Sequence, residues 1–489
     1  MKKAAIMERK QRDEVYLGST LSTCPNCLDL VKTKILARNH SVYFQKFCPA
    51  HGYSRALVSE DLDYYLRIKE YARAGSIPHT FSTEKHKGCP QDCGLCPDHE
   101  QHTCHPIVEI TDHCNLDCPI CMADNQKRGF LSPAKFSSIV ENLIKAEGSL
   151  ENITLSGGEP SLHPDFWQLV AIANRPEISR ISLVTNGLRI AEERDFCRRL
   201  KEENIYVILQ WDGFENRIYN TLRGAGLVDL KHKALQNLEQ YGIGCQLIFV
   251  VARDLNEDQL GRTLRLVLEK DFILSLVIQP LAYPMAQYGS GSLDDRVSGF
   301  DPLNRITIPG VIKALADQTP GLVNSGDFFP LPCPNPECVS LTYMLRLDDG
   351  RYIPFPRFVD MKKYLHLLSQ SATLSPSMET EQALHEIIND LWSMAGEIPD
   401  SDSITRALRR ATHEIFNKTG ADSRQTLKVS EKQAKSIFIH HYMDAYNFDL
   451  ARVIKCCHHY PQPDGRIMPI CSHNLFHRSK EANPFDAQG

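Results

Sequence analysis

Cys114-Asn115-Leu116-Asp117-Cys118-Pro119-Ile120-Cys121 puts three thiols into one short stretch of chain. Thiolates at this spacing can wrap one iron–sulfur cube and ligate three of its four irons, which leaves one iron open to a ligand. A structural zinc site lacking its fourth ligand is the alternative. Further sets lie on both sides. Cys89-x3-Cys93-x2-Cys96-x7-Cys104 offers four thiolates, enough to close a four-iron cluster or an all-cysteine zinc site, and spacing alone does not separate the two. Cys24-x2-Cys27-x20-Cys48-x2-His51 has the paired-knuckle spacing of one mononuclear zinc or iron ion, with His51 either its fourth ligand or a surface residue in an Ala-His-Gly turn. Far downstream, Cys333-x4-Cys338 and the pair Cys456 and Cys471 are expected to share one more cluster. Only one of the adjacent residues Cys456 and Cys457 is expected to point at that metal. Cys197 and Cys245 read as buried small hydrophobes.

Composition supports metal rather than disulfides. The apolar runs, such as Leu247 to Ala252, are strand-sized, and the start MKKAAIMERKQRDE has no apolar stretch typical of a secretion signal. The expectation is a cytoplasmic chain, with peripheral contact at the inner membrane face left open. A reducing compartment keeps thiols unpaired, so the clustering of the 17 cysteines points to metal. With 55 Lys+Arg against 60 Asp+Glu, the net charge is −5, and no basic cluster stands ready for phosphates. A nucleic-acid partner is therefore not expected.

The elements that would hold these groups fall into three parts. Residues 1–104 are rich in Cys, His, Gly and Pro with little periodicity, as in a module held by metal. Residues 105–300 alternate β-rich runs (Ile107 to Thr111, Asn152 to Ser156, Ile181 to Thr185, Tyr206 to Trp211, Gln246 to Ala252, Ser275 to Leu281) with amphipathic stretches such as Pro133 to Glu147. This predicts an α/β fold, a parallel sheet curved into a partial (βα)6 barrel whose functional groups sit at strand C-termini. Residues 301–489 carry the last cysteines and are expected to form a carboxy-terminal auxiliary-cluster domain. After the second strand, Gly157 and Gly158 would let backbone approach a ligand, and Glu159 would supply a carboxylate for an ammonium group. Thr185, Asn186, Asp212, Arg253 and Gln279 end or follow the next four strands, where a role capping the strand end is an equal reading for each.

CxxxCxxC after the first strand, followed by Gly157-Gly158-Glu159-Pro160 after the second, resembles the radical S-adenosylmethionine superfamily. The resemblance implies that Cys114, Cys118 and Cys121 hold a [4Fe-4S] cluster whose open iron chelates S-adenosylmethionine. It implies that Gly157, Gly158, Glu159, Thr185, Asn186, Asp212, Arg253 and Gln279 contact that cofactor, and that its cleavage yields a 5′-deoxyadenosyl radical able to take hydrogen from an unactivated carbon. The order of modules, ending in Cys456-x2-His459-Tyr460, Asp464-Gly465-Arg466 and Pro469-x-Cys471, resembles the tetraether lipid synthase family, formerly labelled pterin-methylase-like. That implies two auxiliary [4Fe-4S] clusters, one mononuclear iron or zinc, an electron donor such as ferredoxin or flavodoxin, and a lipid substrate whose tails are joined by sp3–sp3 carbon–carbon bonds. A peptide-modifying maturase, a pterin or carbon methyltransferase, and a non-enzymatic electron carrier are the competing readings.

Overall fold

The computed structural model describes residues 13–123, 129–283, 301–371, 376–393, 396–416, 423–478 and 484–485. At its amino-terminal end, four short strands form an antiparallel meander: β1 (Val15–Thr23), β2 (Leu30–Arg38), β3 (Ser41–Cys48) and β4 (Gly52–Ser59). Along β3 every second residue turns inward, so Val42 and Phe44 pack with Ile35 and Tyr65 in a small apolar cluster. The β1–β2 and β3–β4 turns lie at the same end of this meander. Cys24 and Cys27 on the first thereby meet Cys48 and His51 on the second.

The central layer is a parallel sheet of β5 (His105–Thr111), β6 (Ile153–Gly157), β7 (Ile181–Thr185), β8 (Tyr206–Gln210), β9 (Cys245–Val251) and β10 (Ile273–Pro280), paired in sequence order. The middle strands are apolar nearly throughout, as Tyr206-Val207-Ile208-Leu209 shows, because helices cover one face and the barrel interior lies on the other. The crossover helices carry the matching pattern. In helix Pro133–Glu147, capped by the Ser132 side chain, Phe136, Ile139, Val140 and Leu143 form the buried stripe.

The carboxy-terminal segment extends this sheet at both edges. β11 (Phe329–Pro330), β12 (Val339–Arg346), β13 (Tyr352–Pro354) and β14 (Ala434–His440) continue it beyond β10, with β14 parallel to β10 and β12 antiparallel to β14. Beyond β5 stand β15 (His458–Pro461), parallel to it, and β16 (Ile467–Pro469). The open edges of a parallel sheet present unpaired N–H and C=O groups, and these strands satisfy them. The strands β11 to β16 are thus continuous in hydrogen bonding with the barrel.

The amino-terminal meander is also docked. Buried Lys46 donates to the carbonyls of Thr23 and Ala445, and Thr20 Oγ1 donates to Asp449 Oδ1 at 2.6 Å. Its own apolar cluster is small, so metal is expected to supply part of its stability. Cys48→Ser should make the 13–59 region sensitive to limited proteolysis while the barrel stays resistant; a mutant as resistant as wild type would show that docking alone holds the meander.

Candidate active site

The loop carrying Cys114, Cys118 and Cys121 leaves the end of β5 and is clamped to the end of β6 by backbone. Gly158 N–H donates to the Thr111 carbonyl and Glu159 N–H to the His113 carbonyl, both at 2.7 Å. A side chain at either glycine would run into that neighbour: a Cβ on Gly157 would overlap the Thr111 oxygen, and one on Gly158 the His113 oxygen. Gly157 also holds φ +118°. The glycine pair is therefore required by the approach of two protein backbones, where sequence alone suggested the approach of a ligand.

The Glu159 carboxylate is buried and immobilised. Oε1 accepts from Ser161 Oγ (2.6 Å) and Thr185 Oγ1 (2.8 Å), and Oε2 accepts from Asn186 N–H (2.8 Å). Thr185 Oγ1 also accepts from Gly187 N–H at 3.0 Å, so Thr185 serves Glu159 and the start of the following helix together. Asn186 Nδ2 reaches back to Asn115 Oδ1 at 2.7 Å, inside the cysteine loop. Three strand ends are thus tied to one loop.

Asp212 is fully buried, and its carboxylate is taken by Arg223, with Nε on Oδ2 at 2.7 Å and Nη2 on Oδ1 at 3.0 Å. Arg223 in turn hydrogen-bonds Cys118. Asp212 thus acts toward the cysteine loop through Arg223. Lys231, also fully buried, donates to the Gln210 side chain and the Asn186 carbonyl, and burial pushes its amine down to about 7 against the pull of Asp212. Sequence reading missed both cations. The signal for Lys231 was a lysine at the head of the stripe Lys231, Ala234, Leu235, Leu238, which faces inward in helix Val228–Tyr241.

Arg253 follows β9 and Gln279 stands near the end of β10. Arg253 is ion-paired with Glu60 of the amino-terminal module and with Glu257, and Glu60 also accepts from Thr307 N–H at 2.7 Å. The docked meander supplies a carboxylate at that strand end, and the guanidinium is engaged there. Gln279 stands half-buried near the end of β10, in register with Val250 of β9.

Residues 108–267 match the sequence pattern of the Radical SAM superfamily, and residues 16–60 that of the HMPTM N-terminal zinc ribbon domain. The chain is 30% identical to a 7,8-dihydro-6-hydroxymethylpterin dimethyltransferase of Methanocaldococcus jannaschii, over 95% of both chains. The chain belongs to the radical SAM superfamily. Mycofactocin maturase MftC of Mycobacterium tuberculosis is 34% identical over 154 residues, 31% of this chain and 38% of that one. Among solved structures, Streptococcus suis SuiB bound to its precursor peptide SuiA superposes over 45% of this chain and 46% of its own, at 15% identity and a TM-score of 0.35.

This radical SAM enzyme holds its remaining metal-type residues in groups that chain spacing only partly foretells. Cys24, Cys27, Cys48 and His51 all present ligand atoms within 4.8 Å of one another, with Cys24 Sγ and Cys48 Sγ 3.6 and 3.5 Å from His51 Nδ1. A tetrahedral ion with bonds of ~2.3 Å to sulfur and ~2.0 Å to nitrogen has S–N edges of about 3.6 Å. The zinc ribbon geometry therefore fits one mononuclear ion, His51 included. Cys89, Cys93 and Cys96 line one small pocket. Cys104 is not with them: its Sγ stands 2.8 Å from Cys333 Sγ, and Cys457 joins these two. Cys338, Cys456, Cys457 and Cys471 line another pocket, where Arg452 Nε donates to Cys338 Sγ at 3.3 Å. Cys104 and Cys333, expected in separate four-thiolate sets, thus stand together, with Cys457 between them and the pocket of Cys338, Cys456 and Cys471. Of the adjacent residues Cys456 and Cys457, only Cys457 has its sulfur beside those of Cys104 and Cys333, because side chains alternate along an extended segment.

The triad on the β5 loop suits the cluster that the superfamily implies. Burial, helped by the Glu159 carboxylate at Cys114 and opposed by Arg478 and Arg223 at Cys121, pushes these two thiols up to about 12 and 11. Thiols so placed ionise readily only against a multiply charged metal partner. A cluster held there supplies the open iron and the electron for cleaving S-adenosylmethionine. Cys118→Ala is expected to abolish 5′-deoxyadenosine formation while leaving the metal of the zinc ribbon in place; residual cleavage would remove Cys118 from the ligand set. Gly158→Ala should cost more than about 2 kcal/mol in thermal unfolding, because neither the His113 carbonyl nor β6 can give way.

Proposed function

We propose that this enzyme joins two unactivated carbons, with the tails of lipids as substrate. The observation that carries this reading is the Cys338, Cys456 and Cys471 pocket beside the barrel's first strand, a metal-type site additional to the β5 loop. Contacts lead from one to the other. Arg478 pairs with Glu109 of β5 at 2.7 and 2.9 Å and lies over the Tyr460 ring, and its charge acts on Cys121. Two auxiliary clusters, at this pocket and at Cys89, Cys93 and Cys96, fit a reaction that must handle two substrate carbons in turn. The balance is explicit: two S-adenosylmethionine and two electrons convert two R–H into R–R, two 5′-deoxyadenosine and two methionine. A small one-electron donor such as ferredoxin or flavodoxin suits that demand, and a lipid substrate calls for peripheral contact with a membrane. Among the described residues no helix is long and apolar enough to cross one.

Methyl transfer to a pterin is the second reading, favoured by the name of the full-length Methanocaldococcus relative. One experiment separates them. The anaerobically reconstituted enzyme is incubated with dithionite and S-adenosylmethionine, with either total lipid extract or a dihydropterin, and products are weighed by mass spectrometry. The coupling reading expects lipid dimers lighter by two hydrogens per new bond, with two 5′-deoxyadenosine for each. A pterin heavier by one or more methyl groups, with lipids unchanged, overturns it.

A further inference from the structure

The four strands of the amino-terminal meander contain no Asp or Glu, although the chain as a whole carries a net charge of −5. They do contain Lys32, Lys34, Arg38, Lys46 and Arg55. Lys46 turns inward to the Thr23 and Ala445 carbonyls, and Arg38 and Arg55 share the Glu14 carboxylate. Lys32 and Lys34 are exposed, and among the described residues neither has an acidic partner.

Strand register gathers the exposed side chains on one face. Leu21 pairs with Lys32 and Phe47 with Tyr53, and the Thr33–Lys46 pairing sets Lys32 beside Phe47, so one row crosses all four strands. The next row holds Ser19, Lys34, Gln45 and Arg55. Thr33, Val42, Phe44 and Lys46 lie on the opposite, buried face. In the outer row Leu21, Phe47 and Tyr53 are 39%, 51% and 77% exposed, and the Phe47 and Tyr53 rings stand 4.9 Å apart. Apolar groups exposed together in this way mark an interaction surface.

Aromatic rings beside free lysines, on strands without an acid, complement an anionic bilayer, where rings settle at headgroup level and ammonium groups meet phosphates. A nucleic acid would require a larger set of cations. The meander also docks at the end of the barrel that carries the cysteine loop, through Glu60 on Arg253 after β9 and through Ala56 packed with Tyr283 after β10. We propose that the outer face of the meander, with Leu21, Lys32, Lys34, Phe47 and Tyr53, holds the enzyme on an anionic membrane surface. The choice of a membrane over an acidic protein rests on the lipid reading above.

The test uses the full chain, purified anaerobically and without S-adenosylmethionine, centrifuged with vesicles of phosphatidylcholine alone or mixed with phosphatidylglycerol. Wild type is expected to sediment with the mixed vesicles and stay in solution with the neutral ones, and added salt should weaken the binding. Lys32→Glu combined with Lys34→Glu should weaken it by about tenfold or more, since each lysine contributes its own attraction to the surface. Tyr53→Ser should weaken it severalfold, and zinc content and thermal unfolding should stay unchanged in all variants because these side chains are exposed. Wild type left in solution by the mixed vesicles overturns the proposal, and so does a charge-reversed variant that binds as wild type does. If the charge-reversed variant does not fold, Tyr53→Ser and the salt dependence of wild type decide, and binding indifferent to both refutes the face. An acidic flavodoxin bound through these lysines, with vesicles ignored, assigns the face to a protein partner and also overturns the proposal. The lipid reading fails separately, when vesicles bind through this face and no coupled lipid forms, an outcome that leaves the membrane contact standing.

Discussion

Two hydrogen bonds between backbones set the geometry on which the active site depends. Gly158 and Glu159 donate to carbonyls at the exit of β5, so the cysteine loop begins at a fixed distance from the end of β6. The same turn directs the Glu159 carboxylate toward β7, where Thr185 and Asn186 hold it. Without the glycines the two strand ends would be forced apart, and the loop and the carboxylate would lose their common frame. The identity of two small residues thereby decides the position of three thiols and an acid.

The barrel was legible from its strands because a buried parallel sheet writes itself as short apolar runs separated by amphipathic helices. The cysteine loop and Gly157-Gly158-Glu159 were legible for the same reason, each lying within a few residues of its strand. What escaped was long-range. Cys104 follows Cys96 closely in sequence, yet it stands at the entrance of β5, where its N–H donates to the Cys457 carbonyl and its thiol meets Cys333 and Cys457. β14 and β15 could not be placed on opposite edges of the barrel, since nothing local in a strand records its partner. Arg253 reads from its position as a ligand-facing residue until the amino-terminal meander arrives with Glu60.

Buried charge follows one pattern across the molecule. Arg223 hydrogen-bonds Cys118, Arg452 donates to Cys338, and Lys455 stands close enough to Cys333 for its charge to act on the thiol. Each cation has an anchor that is not sulfur: Asp212 for Arg223, the His441 carbonyl for Arg452, and the Pro332 carbonyl for Lys455. An unpaired buried cation would be costly, so each anchor holds its charge in place while metal is absent.

The same arrangement bears on the metal when it is present. Several thiolates on one centre leave net negative charge in a medium that solvates it poorly, and a fixed cation beside a sulfur offsets that cost. A hydrogen bond to a ligating sulfur also raises the potential of a cluster, because it stabilises the reduced, more negative state. Arg223 and Arg452 stand at two different cysteine groups and are held by different partners, a carboxylate in one case and a carbonyl in the other. The carboxylate of Asp212 offsets much of the charge of Arg223, and the Glu337 carboxylate acts on Arg452 beside the His441 carbonyl that holds it. Each of the two cysteine groups thus has beside it a buried cation whose charge a carboxylate partly offsets.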